Sequence, residues 1–248
     1  MELLAAASFL ATLASGFAVG GRLLWLARAT HRAPELFLGL GVTMLALAAV
    51  VEVGAMELAR RGYTELAYPV EVVALLLHST SSSSLCFGIW RVFYPDRRFA
   101  FVVCVTVSAL LFDSWMAVIL PGRHTSVTGF TVWFHLHVAA RAAAPAWGAM
   151  AAWAHWRRLR RQIALGLADP LAAHRFLLWA LALSSSTAIL ATALATNTLV
   201  GVLVFAYPPA LLVVSVLGIL AAWALWFAFL PPAGYRRLVE GRARRAVT

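Results

Sequence analysis

The chain has no lysine: all 20 of its basic residues are arginine. Retinal held by a Schiff base is therefore excluded, because that linkage needs a lysine amine. Cysteine is almost as scarce. Cys86 and Cys104 both lie in apolar stretches and form no CxxC or Cys/His pattern, which removes a structural zinc knuckle and leaves two small buried hydrophobes. Charge is low, at 12% of residues, against about 25% in a soluble domain. There is no phosphate-cradling glycine loop, no nucleophile elbow and no His-Glu-x-x-His run, so familiar soluble chemistries have no foothold.

Hydrophobic residues make up 62% of the 248 positions, with a mean hydropathy of +0.85. A helix needs about 20 residues to cross the hydrocarbon core. Seven stretches qualify: Leu3–Ala27, Leu36–Leu58, Tyr68–Tyr94, Phe99–Leu120, Thr131–Trp156, His174–Asn197 and Thr198–Leu230. Pro34, Pro69, Pro95, Pro121 and Pro231–Pro232 mark expected ends. The alternating ten-residue segments of a membrane barrel do not occur. The reading is an all-α integral membrane protein, a seven-transmembrane helix bundle over residues 1–232, with a short basic tail over 233–248. The first stretch has no basic residue before it and is expected to remain as helix one.

Orientation follows from arginine. With the N-terminus outside, fourteen arginines fall on the inner side: Arg28, Arg32, Arg97, Arg98, Arg157, Arg158, Arg160, Arg161, Arg175, Arg236, Arg237, Arg242, Arg244 and Arg245. Only Arg60, Arg61 and Arg123 fall outside. The positive-inside rule then puts the C-terminus in the cytoplasm, a receptor- or rhodopsin-like topology in a cell (inner) membrane crossed many times. The net charge of +10 is read as attraction to anionic lipid at the arginine-rich loops, with room for a cytoplasmic protein partner, and not as nucleic-acid binding.

The outer half of the bundle carries unusual side chains. At about 1.5 Å of rise per residue, Glu52 lies about 9 Å below the outer boundary, Asp113 about 10 Å, His135 and His137 about 6–9 Å, and His78 and Arg141 about 15 Å. Glu71 is shallower, and Thr192 and Tyr207 fall in the same layer. Ionisable groups in membrane spans face the bundle interior and pair with one another. Glu71 and His78 are seven apart, and His137 and Arg141 four apart, so each pair shares a helix face. His135 points elsewhere.

Three readings of this layer compete. It is a structural network with no ligand; or an outward-side pocket for a small polar or anionic ligand, formed by Glu52, Glu71, His78, Asp113, His137, Arg141 and Tyr207; or a metal site built on His78, Asp113 and His137. Zn²⁺ suits such ligands and would make the protein a membrane hydrolase. Haem would need His78 and His137 to face each other at unequal depths. Seven-span hydrolases of the ceramidase and progestin-receptor-like group carry a histidine pair on the last helix, and no histidine follows His174 here. The expected function is a receptor-like sensor of a small ligand, made pH-sensitive by its histidines. The alternatives are the zinc hydrolase and a small transporter or proton channel.

Two local features add to this. His78 is followed by six hydroxyl residues, Ser79–Ser84. They allow close helix packing, or form a polar seam with Ser184–Thr187 on span six. Tyr207-Pro208-Pro209 is expected to interrupt span seven, and Pro145 to bend span five.

Overall fold

The computed structural model describes residues 2–119, 132–235 and 237–239, with only the backbone at Glu2, Val118 and Ala164. Leu120, Pro121, Arg123, Thr131, Arg236, Arg242, Arg244 and Arg245 lie outside the described residues. Seven long helices follow one another: α1 (Glu2–Thr30), α2 (Ala33–Arg60), α3 (Thr64–Phe93), α4 (Arg98–Ile119), α5 (Val132–Ala164), α6 (Pro170–Leu199) and α7 (Pro208–Phe229). A 3-10 turn, Val204–Ala206, precedes α7. No strand occurs among the described residues.

Six helices, all but α5, are long and apolar enough to cross a membrane. The chain is thus a multi-pass helical membrane protein. Each helix packs on its neighbours in sequence, α1 also packs on α7, and α3 also packs on α5, so the bundle closes on itself. Local chemistry sets the ends. Asp169 accepts a hydrogen bond from the Leu171 amide at 2.9 Å and Pro170 opens α6. Gly62, at φ +85°, stops α2: its amide bonds Ala59 O at 3.0 Å and Tyr63 N bonds Leu58 O at 2.9 Å. Only glycine takes this left-handed position without strain, and the turn folds α3 straight back on α2.

Three expectations are corrected. Thr198–Leu230 is not one span: α6 runs on to Leu199, the chain breaks at Gly201–Tyr207, and Pro208–Pro209 begin α7 instead of kinking it. Proline lacks the N–H that the first helical turn leaves unpaired anyway, so it starts a helix at no cost. Pro69 does not mark an end but lies inside α3, close enough to its start that little of the ladder is lost. The proposed α3–α6 hydroxyl seam is also absent among the described residues. Their backbones do not pack together, and Ser184 instead accepts a hydrogen bond from Trp153 Nε1 of α5 at 3.1 Å.

The hydroxyl run serves the α2–α3 contact, the most extensive in the bundle. Ser81 Oγ donates to the Gly41 carbonyl across the helices at 2.7 Å, while Ser79 and Thr80 donate back to Leu75 and Leu76 carbonyls of their own helix. A Cβ on Gly41 would sit 3.2 Å from backbone atoms of Ser81 and Leu85. These small residues let the two backbones approach closely, which is how helices gain contact in lipid. Replacing Ser81 by Ala should lower the unfolding free energy by about 1 kcal/mol. Ser82→Ala should leave it nearly unchanged. Denaturation titrations in mixed micelles check the pair.

Candidate functional site

The close α2–α3 hairpin and the α3–α5 contact bring three ionisable side chains together. Ser81 beside Gly41 fixes the register and sets His78 farther from the α2–α3 turn than Glu52. Side chains lean toward the N-terminus of their own helix. On antiparallel α2 and α3 the two therefore lean toward each other, and His78 Nε2 meets Glu52 Oε2 at 2.9 Å. From α5, Arg141 Nη2 meets His78 Nδ1 at 2.8 Å. One imidazole thus joins a carboxylate to a guanidinium.

The proton arrangement follows from the partners. A guanidinium can only donate, so Nδ1 of His78 is the acceptor. The ring's proton is then on Nε2 and points at the Glu52 carboxylate. The set is a negative carboxylate, a neutral imidazole and a positive guanidinium, with no net charge, which is what a low-dielectric interior requires. A proton added at Nδ1 would remove the acceptor that holds Arg141. His78 is buried, whereas the Glu52 side chain is 42% exposed. The chain therefore has one sequestered middle and one open acidic end.

One turn from Arg141, His137 is fully buried. Its Nδ1 lies 3.1 Å from Ser114 Oγ on α4, and Ser114 in turn donates to the Leu111 carbonyl at 3.0 Å. With the serine proton so used, His137 donates from Nδ1, and Nε2 is left as an acceptor with no partner among the described residues. Around this region Trp115 Nε1 of α4 donates to the Val72 carbonyl of α3 at 3.0 Å. Pro145 lies one turn beyond Arg141 in α5. It has no N–H, so the Arg141 carbonyl lacks its usual ladder bond.

The other expected residues are placed differently. Glu71 is buried on α3 and engaged. Asp113 is exposed on α4, and no described residue bonds to it; its neighbour Ser114 turns inward instead. Tyr207 precedes the first turn of α7 and is partly exposed, apart from the Glu52–His78–Arg141 chain. Thr192 donates back to the Ala188 carbonyl within α6. Among the described residues no three His, Cys, Asp or Glu side chains gather as a metal would need. Both nitrogens of His78 are already committed.

Sequence reasoning missed Ser114 and the aromatic cluster at the opposite end of the bundle. There Phe93, His155, Phe176, Trp179 and Phe229 pack edge-to-face or tilted in succession, with His155 and Phe176 centroids 4.3 Å apart. The aromatic positions were visible as a run of rings near the ends of four helices, but not which ring meets which. Compared with models of protein families, with curated proteins and with solved structures, the chain matches none.

Removing the positive end of the network is expected to be severe. Arg141→Leu should cost about 3–5 kcal/mol, because it strands a buried, desolvated partner. Glu52→Gln should cost less, about 1–3 kcal/mol, since an amide oxygen still accepts from His78 Nε2 while the Arg141 charge loses its counter-charge. Unfolding midpoints of the two purified variants against the parent protein check the contrast.

Proposed function

We propose that this protein is a seven-helix membrane sensor that binds a small polar ligand at the Glu52 end of its buried ionic chain, with its N-terminus outside and its C-terminus in the cytoplasm. The observation that carries the ligand reading is the asymmetry of the chain. His78 is buried, but Glu52 stays accessible and uses only one carboxylate oxygen on His78. Among the described residues His137 Nε2 is a second acceptor without a donor. A ligand with hydrogen-bond donors, an amine or a polyhydroxylated compound, fits these groups better than a plain anion, because Arg141 already gives Nη2 to His78.

Seven crossings are favoured by the packing of α5. Its 33 residues are long enough, and it touches α3, α4 and α6. It falls short in apolar character because it carries His137 and Arg141, and these turn toward the bundle and away from lipid. Arginine placement supports the orientation. On the side assigned as outer, Arg60 and Arg61 are both tied to Glu57, at 2.7 Å each, so little free positive charge remains there.

The competing functions have less support. A proton channel would have to pass a proton through Arg141, and a guanidinium does not give one up. The aromatic cluster also packs the opposite end of the bundle. A zinc hydrolase would need lone pairs that His78 has already spent.

Two measurements test the proposal. In a thermal-shift screen of the purified protein against small amines, amino acids and sugars, at least one compound should raise the midpoint by several degrees, and Glu52→Gln should abolish that rise. No response across the screen, or an undiminished one in the variant, removes the site. For topology, single cysteines replacing Arg60 or Arg160 in a chain lacking Cys86 and Cys104 should behave oppositely in intact cells. A membrane-impermeant maleimide should label the first and not the second.

A further inference from the structure

Two cavities flank the arginine-rich end of α5. One, of about 660 Å³, lies where α5 and α6 meet the chain that returns after α7. Its lining mixes Arg160, His174 and Tyr235 with apolar Trp156, Ile163 and Leu238. The other, of about 420 Å³, is a groove along α5 formed by Met150, Trp153, Ala154 and Arg157. These four residues follow the i, i+3, i+4, i+7 spacing of one helix face. Between the two stand Trp153 and Trp156, with ring centroids 5.3 Å apart.

The parts differ in chemistry and in rigidity. Trp153 is held by its bond to Ser184. Arg160 lies over the Trp156 ring at 5.1 Å, which restrains its guanidinium at the cavity. His174 stacks on Tyr235 at 5.5 Å. Arg157, Arg158 and Arg161 add positive charge within one turn, and Asp169, the carboxylate at the start of α6, is turned to the Leu171 amide. So an apolar groove ends in a cationic, aromatic-walled chamber at the edge of the spanning segment.

We infer that this pair of cavities is a binding site for one anionic phospholipid, its phosphate headgroup against Arg157 and Arg160 and an acyl chain along the Met150–Trp153–Ala154 groove. A soluble phosphate would have use for the arginines but none for the groove. A zwitterionic lipid would fill the groove, but its own cation would face the arginines. Only an amphiphile with net negative charge matches both halves. The site involves none of the Glu52–His78–Arg141 chain, so it stands or falls apart from the sensor reading.

Native mass spectrometry of the detergent-purified protein tests it with three probe molecules and two double variants. Palmitoyl-oleoyl phosphatidylglycerol should remain bound at one equivalent. Phosphatidylcholine with the same acyl chains should bind about tenfold more weakly, as should the Arg157→Gln/Arg160→Gln double variant toward phosphatidylglycerol. The Arg97→Gln/Arg98→Gln variant, which removes the same charge at the start of α4, should bind normally, and sn-glycerol 1-phosphate at millimolar concentration should not compete. Equal retention of the two lipids, equal loss in the two double variants, or effective competition by glycerol phosphate would each overturn the inference. The last would assign the arginines to a soluble anion. The thermal midpoint of each variant without lipid separates lost binding from lost folding.

Discussion

A guanidinium between the helices of a membrane bundle has to be met by acceptors, because leaving it bare in a low-dielectric interior costs several kcal/mol. In this protein that requirement organises the α2, α3 and α5 part of the bundle. Arg141 is answered by His78, His78 by Glu52, and the three helices that carry them are thereby held in one register. Imidazole suits the middle place because it accepts at one nitrogen and donates at the other. The Gly41–Ser81 approach keeps α2 and α3 close enough for the chain to close. The polarity of α5 follows from the same arrangement. It carries the charge that its neighbours neutralise, and so it alone among the long helices is too polar to read as a simple apolar span.

The two ends of the bundle are built from different materials. One has ionisable groups, a partly open carboxylate and a histidine acceptor unmatched among the described residues. The other has edge-packed rings and a belt of arginines, with cavities at its margin. Ionisable side chains therefore gather at one end and aromatic rings with arginines at the other.

Much of this was legible in the residues. Long apolar runs predicted the helices, and the depths of Glu52, His78 and Arg141 put these three in one layer, where their side chains meet, whereas Asp113, Thr192 and Tyr207 were placed there too and do not join them. What failed did so for physical reasons. α4 is apolar on nearly every face, and adjacent residues on a helix differ by about 100°. Nothing in its sequence tells whether Asp113 or Ser114 turns inward. The stretch from Asn197 to Tyr207 stays apolar across its break, so hydropathy carries no trace of the turn at Gly201, and Pro208–Pro209 read as a kink. Which aromatic rings meet depends on helix rotation, which periodicity does not supply when both faces are hydrophobic.

Pro145 gives the Arg141 position a mechanical character of its own. The backbone carbonyl of Arg141 has no proline N–H to accept from, so α5 is already missing a rung where its charged side chain is anchored. Swinging that side chain away from His78 would bend the helix at a joint that is open in advance, without the toll of a broken backbone bond. The segment of α5 from Pro145 to the arginine run thus begins at a missing rung beside the ionic chain, and it is the Trp153–Ser184 bond and the His155–Phe176 contact that fasten it to α6.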